Sequence, residues 1–215
     1  MLHCWIQQEK GEEIMKILHL DSSILGDNSA SRALTAETIA HLKTAHPEAV
    51  ITYHDLAAHP IPELGPAHVA ARFGAEVTDE TLKADIARGD TFIDELFAAD
   101  IVVVGVPMYN FTISAQLKNW FDRIMVAGRT FRYGENGPVG LVPEGKKIIL
   151  ISTRGGQYGA GHPAASMDHQ EPYVSAALGF VGLKDLTWIR AEGLSRGGDA
   201  RESAMSAARA AIAAL

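Results

Sequence analysis

Residues 101–106 read IVVVGV, and no polar side chain interrupts them. Five of the six are β-branched, which suits a pleated strand. A strand apolar on both faces belongs at the centre of a parallel sheet, where helices cover both sides. Toward the N-terminus, the segment from about residue 78 to 99 reads as a helix, with Leu82, Ile86, Phe92, Ile93, Leu96 and Phe97 spaced for one face. A loop through Pro60, Pro62 and Pro66 precedes it. Before that come a strand at 50–53 (VITY) running on to Asp55, a helix over 31–44 and a strand at 16–20 (KILHL). Toward the C-terminus follow a helix over 116–127, a glycine-rich loop to about Gly145 and an apolar strand at 147–152 (KIILIS). A helix over 168–181, a last strand at 185–189 and an alanine-rich helix over 199–215 complete the chain.

Strand and helix alternate throughout, which predicts an α/β fold: a five-stranded parallel sheet between two helix layers, joined by right-handed crossovers. No repeat or linker divides it, so residues 15–215 are expected to form one domain. Met15 stands immediately before the first strand and reads as a natural start, with residues 1–14 an extension outside the domain.

A chain of 215 residues is long enough for one domain that buries on the order of 70% of its unfolded surface. Its composition, 47% hydrophobic and 21% charged, is that of an ordinary globular protein. The net charge of −7 argues against a nucleic-acid backbone as partner. Cys4 is the single cysteine, which rules out an intrachain disulfide and a cysteine-rich zinc site. The histidines show no H-E-x-x-H pattern, and no metal is expected. No apolar run approaches the ~18–20 residues of a membrane helix, and the first 14 residues lack the apolar stretch of a secretory signal. A cytoplasmic location without a membrane partner is the expectation.

In such a sheet, ligands bind beyond the carboxyl ends of the strands, where the strand order reverses. The loops after the first, third and fourth strands of the sheet therefore matter most. The first, 21–31 (DSSILGDNSAS), carries Ser22, Ser23, Ser29 and Ser31 into a helix start. Hydroxyls and free amides there suit an anion, although Asn28 or Ser29 equally suits a plain N-cap. The loop lacks both common glycine-rich phosphate patterns and has no cation before Arg32, which favours hydroxyl and amide donors. The second, 107–114 (PMYNFTIS), places Met108, Tyr109, Asn110 and Phe111 where a flat aromatic ligand would use them; packing beneath a neighbouring loop is the plainer alternative. In the third, 153–161 (TRGGQYGAG), Gly155 and Gly156 permit positive φ and close approach of the backbone to a planar ligand.

With these loops in place the sequence resembles the FMN-dependent NADH-azoreductases, also described as NAD(P)H quinone oxidoreductases. SSILGDNSAS, PMYNFTISAQLKNWFD, FRYGENGPVGL and TRGG carry the resemblance, which covers about residues 15–215. It implies a flavodoxin-like three-layer sandwich with sheet order 2-1-3-4-5 and a homodimer with two FMN sites at its interface. It implies that Ser23, Ser29, Ala30 and Ser31 hold the FMN phosphate. Met108, Tyr109, Asn110 and Phe111 would border the isoalloxazine, and Thr153, Arg154, Gly155 and Gly156 would reach its pyrimidine edge. Thr153 stands where the family usually has Ser, and it keeps the hydroxyl.

The implied reaction is a ping-pong, two-electron reduction of a quinone or azo compound, with NADH or NADPH as donor. The cofactor supplies the chemistry and the protein supplies position and electrostatics. The amides near Gly155 and Gly156 are candidate dipoles for the charge on reduced FMN. Arg154 either adds a positive charge or pairs with an acid. Phe131, Tyr133 and His162 are candidate pocket residues, with packing or solvation as the alternative for each. A flavodoxin-type electron carrier shares fold and cofactor, but the PMYNF segment and the long glycine-rich loop favour the enzyme. A low-molecular-weight phosphatase needs Arg six residues after its thiol; here Lys10 follows Cys4 at that distance. A regulatory protein with a vestigial site would bind no flavin.

Overall fold

The computed structural model describes residues 14–215, so the expectation for the N-terminal extension, and with it Cys4, lies outside the described residues. In chain order the elements are β1 (Lys16–Asp21), α1 (Ala30–Ala45), β2 (Val50–Asp55), α2 (Pro66–Arg72), α3 (Glu80–Ala98), β3 (Ile101–Pro107) and α4 (Ala115–Ile124). Then follow β4 (Phe131–Gly134), β5 (Gly137–Gly140), β6 (Lys147–Thr153), α5 (Glu171–Phe180), β7 (Leu186–Ala191) and α6 (Gly198–Ala213). Five strands form one parallel sheet in the order β2-β1-β3-β6-β7, which is 2-1-3-4-5 among the sheet strands.

All seven residues of β3 are buried, as a central strand requires. Successive side chains alternate between the two faces. Val102 and Val104 join Leu18, Leu20, Leu150 and the α3–α4 residues Phe92, Leu96 and Trp120. Ile101 and Val103 join Ile17, Ile149, Ile189 and the α1–α6 residues Leu34, Ala208 and Ile212. Each such aliphatic or aromatic side chain contributes roughly 1.5–3 kcal/mol on full burial. Leu20 pairs with Val104, and Val104 with Leu150, so β1, β3 and β6 end side by side. The chain leaves β1 for the edge strand β2 and returns on the other side as β3, opening a crevice between the loops that follow β1 and β3.

Two elements depart from the sequence reading. The proline-rich loop contains α2, because Pro66 lies in its first turn, where no backbone N–H is needed. The Gly65 amide donates to His68 Nδ1 at 3.0 Å and secures that turn. The glycine-rich loop contains the antiparallel hairpin β4–β5. Gly140 serves close packing, since a Cβ there would land among the backbone atoms of Val181 and Gly182, whereas Gly137 supplies the positive φ of the hairpin turn. Phe131 is buried there, with its ring centroid 4.6 Å from that of Phe180, whereas Tyr133 is 76% exposed.

Candidate functional site

The loop after β1 is held from below. Ser22 Oγ donates to the Gly105 carbonyl at 2.9 Å. Ser29 caps α1 by accepting from the Arg32 amide at 3.3 Å, and its hydroxyl lies 3.0 Å from that of Ser31. The first amides of α1 have no partners within the helix, so hydroxyls and N–H groups converge at its N-terminus. Arg32 braces the same loop. Its guanidinium donates to the Ser23 carbonyl at 2.9 and 3.2 Å and to both carboxylate oxygens of Asp55 at 2.6 Å. Held this way, the Asp55 carboxyl falls to about 2, and the Arg32 guanidinium is raised further above its ordinary value.

The loop after β3 makes a two-residue turn. Tyr109 and Thr112 exchange backbone hydrogen bonds at 2.9 and 3.1 Å around Asn110 and Phe111. Both central residues have positive φ, 46° and 73°, the arrangement of a type I′ turn. Asn tolerates this conformation; a non-glycine residue such as Phe incurs about 1–2 kcal/mol. Strain of this kind concentrates at functional sites. The Tyr109 hydroxyl lies 3.1 Å from Ser23 Oγ and accepts from the Ile24 amide at 3.2 Å, tying this loop to the first.

In the loop after β6, Gly155 and Gly156 could take up positive φ but do not. What these positions require is space: a Cβ on Gly155 would stand 2.6 Å from Ser195 Oγ, and one on Gly156 would stand 3.0 Å from the Tyr158 hydroxyl. The carbonyls of Arg154 and Gly155 each accept a 3.1 Å bond, from the amides of Leu194 and Ser195. In a trans peptide the C=O and the next N–H point opposite ways. The Gly155 and Gly156 N–H groups are thereby turned from the Leu194–Ser195 segment, and neither has an acceptor among the described residues.

These loops border a cleft of about 230 Å³. Ser23, Ser29, Ala30, Met108, Tyr109, Thr153, Arg154 and Gly155 line it; Ser31, Asn110 and Gly156 adjoin lining residues in the chain but are not among them, nor is Phe111, one residue further on. Arg154 contributes through its backbone. Its side chain is buried and pairs with Asp168, Glu171 and Glu192 at 3.0, 2.5 and 2.9 Å, and its Nε donates to Gln170 Oε1 at 2.8 Å. Of the two alternatives for this residue, the structure has the acid pairing, though inside the protein and with three carboxylates. Phe131 and Tyr133 belong to the hairpin. His162 is exposed in a turn, where its Nδ1 accepts from the Ala164 amide at 3.2 Å. None of these three lines the cleft.

Sequence reasoning missed Leu194, Ser195 and Arg201, which line the cleft from the segment after β7 and from α6. No local pattern marks them; only the order of the sheet brings α6 beside α1. Arg201 has no ion-pair partner among the described residues, unlike Arg32 and Arg154. The cleft thus offers hydroxyls and helix amides from the first loop, a cation from Arg201 and the unpartnered Gly155 amide from the third loop. An elongated ligand with a phosphate and a polar heterocycle matches that donor set, and FMN has both groups.

Fold and cleft together define a flavodoxin-like protein, and the model of the family described as having a flavodoxin-like fold matches residues 15–215. An FMN-dependent NADH:quinone oxidoreductase of Rhizobium meliloti is 51% identical over 199 residues, 93% of this chain and 96% of that one. One from Xanthomonas campestris pv. campestris is 52% identical over 202 residues, 94% and 99% of the two chains. An azoreductase structure from Bacillus anthracis superposes with a TM-score of 0.84 at 31% identity, covering 93% of this chain and 97% of that one. The chain belongs to the family of flavodoxin-like FMN-dependent NADH:quinone oxidoreductases and azoreductases.

Proposed function

We propose that the cleft holds FMN and that this chain uses NADH or NADPH to reduce quinones and azo compounds by a ping-pong, two-electron cycle. The observation that carries this reading is the Gly155 amide, without an acceptor among the described residues, in the cleft that the hydroxyl-lined N-terminus of α1 also borders, with the similarly unpartnered Gly156 amide next to it in the chain. Ser23, Ser29, Ser31 and the Ala30 amide bind the phosphate, and Arg201 supplies its countercharge. Met108, Tyr109, Asn110 and Phe111 border the ring system. Thr153 and the amides of residues 154–156 meet its pyrimidine edge, where fixed dipoles favour developing negative charge without reorganising. When bound, FMN supplies the redox chemistry, taking an electron pair from the nicotinamide and passing it to the acceptor. The protein places donor and acceptor in turn against the ring system.

Residues 15–215 act as one domain, working as a homodimer in the cytoplasm. The large exposed side chains Phe73 and Tyr133, 87% and 76% accessible, support a subunit interface. No helix among the described residues is long and apolar enough to cross a membrane.

The test is a visible spectrum of purified protein after loading with FMN and removing the excess. Flavin bands should be retained, bleach anaerobically with NADH or NADPH, and return when a quinone is added. Loss of all flavin on desalting would refute the cofactor assignment. Retained bands that neither nicotinamide bleaches would favour an electron carrier. In Arg201→Ala, FMN affinity should fall and lose part of its salt dependence while the unfolding midpoint stays unchanged.

A further inference from the structure

The loop segment that presents the Gly155 amide is gripped by one carboxylate at two points, residues 154 and 158. Glu192, the first residue after β7, accepts at a single oxygen, Oε1, from Arg154 Nη1 at 2.9 Å and from the Tyr158 amide at 3.1 Å. Its side chain is 22% exposed, and it does not line the flavin cleft. Between the two anchors stand Gly155 and Gly156, whose backbones no side chain restrains. The carbonyls of residues 154, 155 and 156 accept from the amides of Leu194, Ser195 and Gly193 at 3.1, 3.1 and 2.7 Å. That backbone pairing ends at Gly156, and Glu192 is the only acceptor of the Tyr158 amide among the described residues. Tyr158 passes the restraint on. Its ring centroid lies 6.0 Å from the Arg154 guanidinium carbon and 6.4 Å from the Phe111 ring, edge to face. Glu192 thus ties the third loop to itself and, through Tyr158, to the second. Arg154 also pairs with Asp168 and Glu171, so a change at Glu192 leaves its buried charge compensated.

We propose that Glu192 is a positioning residue for the flavin reaction: by holding the Arg154 side chain and the Tyr158 amide at one oxygen, it fixes the Gly155 amide that faces the reduced ring. The proposal rests on FMN occupying the cleft as read above. Dipoles favour developing charge without cost only when they do not reorganise. A glycine pair tied through its carbonyls alone retains freedom to turn its amides, and the anchor at Tyr158 removes that freedom. The part Glu192 plays is geometric. Its negative charge by itself would oppose the entry of electrons into the ring, so reach and charge have opposite effects on the flavin potential.

The test compares Glu192→Asp, which keeps the charge and shortens the reach by a methylene, with Glu192→Gln, which keeps the reach and loses the charge. In FMN-loaded protein, Glu192→Asp should weaken reduced FMN about ten-fold relative to oxidised FMN, as for one misaligned hydrogen bond to a charged group. Such a change lowers the two-electron midpoint potential by about 30 mV. Glu192→Gln should stay near the wild-type potential. In the apoprotein, amide exchange over residues 154–158 should quicken in Glu192→Asp and not in Glu192→Gln. A potential that moves in Glu192→Gln as far as in Glu192→Asp, or that rises there instead, makes the charge decisive and overturns the proposal. So does unaltered exchange in Glu192→Asp. A lower unfolding midpoint with no shift in potential also overturns it, because that is the mark of a merely structural contact. Wild-type protein that retains no flavin overturns the flavin reading and this proposal with it, even where the exchange difference shows that the anchor itself exists.

Discussion

Ser29 and Ser31 allow the phosphate assignment to be tested against a purely structural role, because their hydroxyls differ in local duty. Ser29 caps α1 through the Arg32 amide, whereas the only hydrogen bond of the Ser31 hydroxyl among the described residues is with Ser29. Loss of an N-cap hydroxyl costs about 0.5–2 kcal/mol. In a domain of this size 1 kcal/mol lowers the midpoint by roughly 2–4 °C. A hydrogen bond to a charged group is worth about 1.5–3 kcal/mol, or roughly 10- to 100-fold in affinity. Ser29→Ala should therefore lower both apoprotein stability and FMN affinity. Ser31→Ala should leave the apoprotein midpoint nearly unchanged and still weaken FMN by about ten-fold or more. The assays are thermal unfolding of the apoprotein and FMN titration followed by quenching of flavin fluorescence. Unchanged FMN affinity in the double variant, with the fold intact, would refute the phosphate assignment. Equal loss of stability in both single variants would refute the division of roles.

Three further outcomes follow from the geometry. Arg154→Met strands three carboxylates around a buried position and should cost about 3–5 kcal/mol in urea unfolding; a loss below about 1 kcal/mol would show that the acids relax freely into water. Gly140→Ala should destabilise by about 1–3 kcal/mol, because its methyl meets backbone at Val181 and Gly182; wild-type stability would mean that the hairpin moves aside at no cost. Arg32 holds the Asp55 carboxyl down from 3.8 to about 2, so its contribution is complete above pH 4 and disappears as the pH falls through about 2. It amounts to at most about 2.5 kcal/mol, and less after solvent screening; Asp55→Asn should flatten the acid limb of stability against pH, and an unaltered limb contradicts the pairing.

The centre of the sheet was legible because β3 and nearly all of β6 are buried: IVVVGV and the IILI of KIILIS carry that burial as unbroken apolar runs. The hairpin was not, because Gly134, Gly137, Pro138 and Gly140 look like loop residues until Val181 and Gly182 are seen packed against Gly140. Helix α2 was hidden by Pro66, whose place in the first turn makes it a helix starter rather than a breaker. At the candidate site, residue types were readable and conformations were not. Gly155 and Gly156 use their freedom for close approach rather than for positive φ, which occurs instead at Asn110 and Phe111, where backbone pairing between Tyr109 and Thr112 holds the turn. The partners of Arg154 and the approach of Arg201 are long-range and leave no local pattern.

Arg32 joins the Ser23 carbonyl to Asp55, the last residue of β2, which among the described residues is an edge strand paired only with β1. Ligation of the first loop and closure of the sheet edge are thus thermodynamically linked. Whatever steadies Ser23 also steadies β2, and the coupling runs equally in the other direction. Amide exchange across Val50–Asp55 should slow when FMN is added, and identical exchange with and without FMN would break the link. Chains lacking flavin would carry the looser edge, and an unpaired strand edge is where β-proteins recruit one another into aggregates. Cofactor supply then governs the persistence of the polypeptide as well as its turnover.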